Sequence, residues 1–200
     1  MTKLKYISLF VPVFFALSAS AQQDPSYDVY RTYQTATDLM NKGKYVAAAE
    51  QFRLVETSRL ETTTQPKYES KLSLVKENAQ YYEAFCALQL GNDDAESLVL
   101  KFSKDHPENP LTKLAFFEIG KLYFKEQKYT EALKWFDKVS AGELNGSENV
   151  EYKFRKGYSY FATNDYTKAQ LLFSEVKNTD SPFTIDATYY FAYIAYLNKD

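Results

Sequence analysis

Hydrophobic residues recur every three or four positions through the middle of the chain, in pairs of runs that short polar segments separate. Between residues 113 and 125, Phe116, Gly120 and Tyr123 fall on one face of a helix. After a polar triplet, a second run that starts at Tyr129 has the same period. A connector this short predicts two antiparallel helices, a hairpin, in which Gly120 lets the two backbones approach closely.

The same hairpin occurs again in the next part of the chain. Five residue types of the second copy follow those of the first at one constant offset: Gly157, Tyr166, Ala169, Phe173 and Val176 correspond to Gly120, Tyr129, Ala132, Phe136 and Val139. A helix pair that repeats with a period of roughly 30 to 40 residues is typical of a solenoid, whose units bury their apolar faces only against their neighbours.

The spacing G-x2-Y-x5-Y-x2-A-x3-F in both copies resembles the tetratricopeptide repeat (TPR). One copy consists of Gly120, Tyr123, Tyr129, Ala132 and Phe136, and the other of Gly157, Tyr160, Tyr166, Ala169 and Phe173. Both copies lack the tryptophan that often opens this repeat and have Phe116 and Lys153 in its place. The resemblance implies an all-α fold, a right-handed superhelical solenoid of antiparallel helix hairpins.

The repeat pattern extends over most of the chain. Approximate repeats are expected at residues 29–62, 74–110, 113–146 and 150–183, with a half repeat at 185–200, so that the array occupies residues 22–200. Tyrosine and apolar residues dominate the last helix, whereas a helix that caps a solenoid has a polar outer face. We therefore expect either that this sequence is the N-terminal part of a longer array or that a partner covers its end.

Residues 1–21 have the form of a secretory signal peptide. Two lysines precede an apolar run from Tyr6 to Leu17, and Ala19 and Ala21 form the small-x-small pattern of a signal-peptidase site. The run is shorter than the about 20 residues of a transmembrane helix, and Gln22 stands where a lipoprotein has its acylated cysteine. We expect cleavage after Ala21 and a soluble, exported, periplasmic protein that does not span the membrane. An uncleaved N-terminal anchor is the alternative.

The chain has few residues that could catalyse a reaction. His106 is the only histidine and Cys86 the only cysteine, which excludes a metal site of several histidines and an internal disulfide. The glycines are isolated, so a phosphate-binding loop is not indicated. The net charge of −2, without a basic cluster, disfavours nucleic-acid binding. We therefore expect no enzyme activity, no cofactor and no metal.

In TPR proteins the first helix of each hairpin lines a concave groove that binds a protein segment. The resemblance assigns this role to Tyr30, Tyr33, Phe117, Lys121, Phe124, Phe154, Tyr158, Phe161, Tyr189, Tyr193 and Tyr196. Aromatic side chains dominate this set and supply large contact areas at a low entropic cost. The alternative is that the aromatic stripe is mainly core, because the first helices of adjacent repeats also pack on each other. With only Lys121 and Lys125 as cations, clamping of a partner's C-terminal carboxylate is not expected.

The sequence favours a non-catalytic protein–protein interaction scaffold of the cell envelope, whose partner is a protein or a peptide. Exported arrays of this type resemble envelope proteins of Gram-negative bacteria. Two alternatives stay open. The array is the recruiting domain of a larger envelope enzyme or assembly factor, or it is a self-assembling structural module that associates through its C-terminal end.

Overall fold

The computed structural model describes residues 25–58, 66–139 and 142–198. All regular secondary structure in these ranges is helical. The helices are α1 (Pro25–Asn41), α2 (Tyr45–Thr57), α3 (Pro66–Leu90), α4 (Ala95–Asp105), α5 (Leu111–Lys125), α6 (Tyr129–Phe136), α7 (Gly146–Ala162), α8 (Tyr166–Val176) and α9 (Thr184–Asn198). None of the helices in these ranges is long and apolar enough to cross a membrane. The predicted signal peptide, residues 1–21, lies outside the described residues.

Consecutive helices form hairpins. α1 packs on α2, α3 on α4, α5 on α6 and α7 on α8, and α9 packs on α8 as the first helix of a further hairpin. The first helix of one hairpin also contacts the first helix of the next, since α3 contacts both α1 and α5, and α5 contacts α7. This arrangement confirms the predicted all-α solenoid of helix hairpins. It places the first helices side by side in one layer.

The interface inside each hairpin depends on small residues. A Cβ added to Gly120 would lie 2.3 Å from Cε1 of Phe136, so a side chain at this position would displace the buried Phe136 ring. A Cβ added to Gly157 would lie 3.2 Å from the side chains of Leu172 and Phe173. The repeated alanines and phenylalanines of the second helices are 0% exposed: Ala48, Ala132, Ala169, Phe52, Phe136 and Phe173. The structure thus confirms the close helix approach that the glycines predicted.

Each complete hairpin turns through one residue with a left-handed backbone. Gly43 and Gly91 have a φ of 69°. Gln127 and Asn164 lie in the turns of the third and fourth hairpins and have φ of 60° and 65°. In all four turns the next backbone N–H donates to the carbonyl five residues earlier, at 2.9 to 3.0 Å. This hydrogen bond is the one that closes a helix end in a Schellman motif.

The second hairpin begins earlier than the sequence pattern indicated. α3 starts at Pro66, whereas the pattern places the start of the second repeat at residue 74. Leu72, in the additional turns, is 1% exposed and belongs to the same buried cluster as Phe52 and Val55 of α2. Leu72 therefore packs this mostly polar segment of α3 against α2, a contact between two helices that the repeat spacing does not include.

Candidate functional site

A pocket lies where three of the first helices meet. Its volume is about 270 Å³, and its lining residues come from the end of α3, from α5 and from α7: Leu88, Gln89, Glu118, Lys121, Leu122, Lys125, Glu151 and Arg155. The spacing of Glu118, Lys121 and Lys125 places them on one face of α5. Glu151 and Arg155 are one turn apart on α7. We refer to this feature as the central pocket.

The α5 side of the central pocket holds a largely buried ion pair. Lys121 Nζ lies 2.7 Å from Glu118 Oε1, and the Glu118 side chain is 10% exposed. Lys121 Nζ also lies 4.9 Å from the centre of the Phe117 ring, a cation–π contact. Burial raises the pKa of the Glu118 carboxyl, and the nearby Lys121 ammonium opposes this shift. Both charged groups are therefore held in place by contacts within α5.

The α7 side of the central pocket holds a second fixed pair. Arg155 Nε lies 2.7 Å from Glu151 Oε1, and the guanidinium carbon lies 4.9 Å from the centre of the Phe124 ring. The third cation of the pocket, Lys125, is exposed. The central pocket therefore contains three cations and two carboxylates. Arg155 was not among the predicted site residues. The four-residue spacing of Glu151 and Arg155 could have predicted this ion pair from the sequence. The repeat alignment instead assigned the binding role to the aromatic residues beside them.

Aromatic rings continue from Arg155 toward α9. Phe124, Tyr129 and Tyr158 form a triangle in which the ring centres are 5.5 to 5.6 Å apart. Tyr190 lies 5.1 Å from Tyr158 and 5.0 Å from Phe161, measured between ring centres. We call these five half-buried residues, together with Tyr193, the aromatic track. Tyr193 lies 5.9 Å from Phe161. The sequence indicated four members of the track but missed Tyr129 and Tyr190, which reach it from a second helix and from the covered side of α9.

Two predicted site residues, Phe117 and Phe154, lie in the core. Phe117 is 0% exposed, and its ring centre lies 6.0 Å from that of Tyr152. Phe154 is 8% exposed and stacks on Phe183 with ring centres 4.9 Å apart. Their rings therefore pack between repeats and are not accessible to a partner. At these two positions the aromatic stripe is core, as the alternative interpretation proposed.

The predicted residues of the first hairpin lie in a separate cluster. Tyr30 and Tyr33 are half-buried and pack on the buried cluster of α1, α2 and α3. The Tyr33 ring lies 5.8 Å from that of Phe52 and 6.3 Å from that of Tyr82, and burial raises the pKa of Tyr33 to about 12. None of the ring contacts of Tyr33 involves the aromatic track. The predicted surface therefore divides into two parts.

The three predicted tyrosines of α9 are exposed. Tyr189, Tyr193 and Tyr196 are 61%, 40% and 78% exposed. The rings of Tyr189 and Tyr193 are nearly parallel, at 9°, with centres 6.1 Å apart. These exposed rings lie at the end of the described array, and Tyr193 also belongs to the aromatic track.

His106 and Cys86, the single histidine and cysteine of the sequence, both pack against other side chains of the fold. His106 Nε2 lies 2.9 Å from Gln80 Oε1, and the imidazole packs 5.5 Å from the Phe102 ring. Burial raises the pKa of the Cys86 thiol to about 11, which disfavours the reactive thiolate. Within residues 25–58, 66–139 and 142–198, no group of three His, Cys, Asp or Glu side chains is placed to hold a metal ion.

Known proteins offer a structural likeness but no sequence match. No family model matches the chain, and no curated protein matches its sequence. The structure is similar to the crystal structure of nearly identical TPR-like repeats of a putative kinesin light chain from Podospora anserina. The TM-score is 0.59 at 14% sequence identity, and the match covers 88% of this chain and 89% of that chain. The likeness shows that the chain has a TPR-like fold, as the spacing of its repeats predicted.

Proposed function

We propose that the protein is a non-catalytic scaffold that binds a segment of a partner protein on the central pocket and the aromatic track. The observation that carries this proposal is the junction of the two surfaces at Arg155. Its guanidinium group is held by Glu151 on one side and by the Phe124 ring on the other. Side chains that are already fixed lose little entropy when a partner binds, which favours affinity.

The lining of the central pocket suits a protein segment better than a small molecule. Pockets for small ligands are mostly apolar and span about 300 to 1,000 Å³. In the central pocket, five of the eight lining residues are charged. A peptide can place polar groups on these charges while its apolar side chains cover the half-buried rings of the aromatic track. The TPR-like fold supports this proposal, because solenoid repeats offer extended surfaces of this kind.

Affinity capture with matched variants tests the proposed binding surface. The bait is the polypeptide of residues 22–200, compared with its Lys125→Glu, Arg155→Gln double variant, which alters two pocket cations. Lys104→Glu is the control, because Lys104 is exposed in the last turn of α4. The captured protein is identified, purified and titrated against all three baits.

We expect the partner to bind the unmodified chain and the control equally, and the pocket variant at least about tenfold more weakly, which corresponds to roughly 1.4 kcal/mol. Circular dichroism spectra of the three baits should be the same. Equal binding by all three would show that the pocket is not the binding surface.

We also propose that this scaffold works in the periplasm, as part of the cell envelope. Support comes from the signal-peptide pattern of residues 1–21 and from Gln22 in place of a lipoprotein cysteine. Expression of the full sequence in a Gram-negative host, followed by fractionation and mass spectrometry, should give a periplasmic product that begins at Gln22. A cytoplasmic product that keeps residues 1–21 would contradict export.

Self-association through the C-terminal end is a second candidate function, and the exposed tyrosines of α9 favour it. Sedimentation velocity of residues 22–200 and of the Tyr193→Glu variant tests it, because a charge among these exposed rings should abolish association. The remaining alternative, a recruiting domain of a larger envelope enzyme or assembly factor, uses the same central pocket within a longer polypeptide. It leaves the proposed binding surface unchanged.

A further inference from the structure

The loop between α6 and α7 carries an asparagine in the sequence pattern of N-linked glycosylation. Asn145, Gly146 and Ser147 form the pattern N-x-S, in which the middle residue is not proline. Of the nine asparagines in the sequence, Asn145 is the one that a serine or threonine follows two residues later. Because a three-residue pattern also arises by chance, its surroundings in the fold decide whether it can act as an acceptor.

The described part of this loop presents the pattern to solvent. Asn145, Gly146 and Ser147 are all exposed, and so is Glu143, two residues before the asparagine. Leu144, between Glu143 and Asn145, is 6% exposed and belongs to a buried cluster with residues of α5, α6 and α7. The buried leucine therefore anchors the loop to the core, while the residues of the pattern stay accessible to an enzyme.

The side-chain amide of Asn145 has no role in starting α7. Asn145 precedes the helix with an extended backbone, at a φ of −106° and a ψ of 158°, and its side chain makes no capping hydrogen bond. Its backbone carbonyl instead accepts hydrogen bonds from Glu148 N and Asn149 N, at 3.0 and 3.2 Å. A substituent on the amide nitrogen, Nδ2, would therefore leave these hydrogen bonds intact.

The hydroxyl of the pattern lies where the helix is easily reshaped. Ser147 is in the first turn of α7, whose backbone N–H groups have no partner within the helix, and helix ends fray. Tyr152, the first buried residue of α7, follows five residues later. An enzyme can therefore unwind the first turn around Asn145 and Ser147 while the buried contacts of α7 stay in place.

We propose that Asn145 is a site of N-linked glycosylation in the exported protein. Asn145 Nδ2 forms a bond to the anomeric carbon of an oligosaccharide, while the bond from that carbon to the diphosphate of a lipid carrier breaks. Nδ2 loses one proton, the lipid diphosphate is the leaving group, and the transfer needs no oxidant or reductant. The inference rests on the proposed export, because the glycan is added outside the cytoplasm.

A glycan on Asn145 would identify one edge of the array as solvent-facing. Asn145 is not among the lining residues of the central pocket, so the glycan is attached beside the proposed binding surface and not inside it. N-linked glycans are bulky and solubilising, and a protein interface does not form over one. The edge that holds the α6–α7 loop is therefore not the surface on which a partner packs.

Expression of the full sequence in a Gram-negative host that carries a bacterial oligosaccharyltransferase and its lipid-linked glycan tests the inference. The unmodified chain is compared with Asn145→Gln, Ser147→Ala and Ser147→Thr, and melting curves check that all four fold. By peptide mass spectrometry, we expect the segment around position 145 to gain one glycan in the unmodified chain and in Ser147→Thr, which keeps the hydroxyl. The gain should be lost in the other two variants and in a host with an inactive transferase.

An exported chain that begins at Gln22 and lacks a glycan on Asn145 would overturn the inference and leave the proposed export intact. An Asn145 that is converted only to aspartate would overturn it as well. If the product stays in the cytoplasm, the purified folded chain is incubated with the purified transferase and the lipid-linked glycan, with an acceptor peptide as the positive control. Modification of Asn145 there supports the site, and an unmodified Asn145 overturns it independently of export.

Discussion

Two first helices, α7 and α9, carry aromatic residues at the same three repeat positions and differ in what covers them. In α7 these residues are Phe154, Tyr158 and Phe161, which are buried or half-buried, and in α9 they are Tyr189, Tyr193 and Tyr196, which are 61%, 40% and 78% exposed. Phe183 and the rings of α9 cover the residues of α7. No helix among the described residues covers those of α9 in the same way. Burial at these positions therefore depends on the next repeat, and the residue type alone does not determine it.

This difference changes how the binding surface should be identified. An aromatic stripe along first helices contains both inter-repeat contacts and free surface, and the two look alike in the sequence. In α5 and α7, Phe117 and Phe154 are buried inter-repeat contacts. Phe124, Tyr158 and Phe161 of these helices are half-buried in the aromatic track, beside the charged side chains of the central pocket. In α9 the rings themselves are accessible. The two regions therefore need different tests.

The largest expected effect comes from truncating the same repeat position in both helices. Phe154→Ala should destabilise the fold by about 3 to 5 kcal/mol, because it leaves a cavity between Phe173 and Phe183. Tyr189→Ala should change the free energy of unfolding by at most about 0.5 kcal/mol, because its side chain is exposed. Chemical denaturation of both variants measures the difference. Equal losses would mean that the surface of α9 is covered in solution.

The second comparison places a large side chain at the hairpin interface. Gly157→Phe should cost on the order of 1 to 3 kcal/mol, because Leu172 and Phe173 lie against this position. Ala192→Phe makes a comparable change at the matching position of α9, where the residue is exposed, and should have little effect. Melting curves of the two variants check this. If Gly157→Phe melts like the unmodified chain, the register of α7 against α8 is misassigned.

The sequence predicted the hairpins well because their signals are local. The glycine, alanine and phenylalanine positions of the third and fourth hairpins lie within 16 residues of each other, from Gly120 to Phe136 and from Gly157 to Phe173, so spacing alone assigns them. The charged junction at Arg155 was missed, because it depends on Phe124 of another helix, thirty-one residues away in the sequence. The early start of α3 was missed for a similar reason, since Leu72 packs on residues of α2.

A third, smaller effect concerns the turns that allow the hairpins to close. Gln127 has a left-handed backbone, with a φ of 60°, where the first hairpin has Gly43. Because glycine adopts this conformation without steric cost, Gln127→Gly should stabilise the chain by about 0.5 to 1 kcal/mol. Gly43→Gln is the reciprocal variant and should destabilise by a similar amount. Urea denaturation of both tests the pair, and a loss of stability in Gln127→Gly would show that the glutamine side chain makes a contact that outweighs the backbone strain.

The smallest expected effect is a shift in the titration of Tyr190, which lies on the covered side of α9. Burial, together with a hydrogen bond to Tyr158, raises the pKa of Tyr190 to about 12, whereas tyrosine in an unfolded chain has a pKa of about 10. The native state therefore holds this proton to higher pH. The stability that Tyr190 contributes is complete below pH 10 and is lost as the pH rises from about 10 to about 12.

Absorbance at 295 nm during alkaline titration follows the tyrosines, with the chain in concentrated urea as the unfolded reference. The native curve should lag behind the reference, and Tyr190→Phe should remove part of the latest phase because it deletes one group that titrates near pH 12. The stability of Tyr190→Phe, relative to the unmodified chain, should also improve as the pH rises through this range. An unchanged late phase would mean that Tyr190 is open to solvent, and that α9 does not pack on Tyr158 as Tyr158 packs on Phe124 of α5.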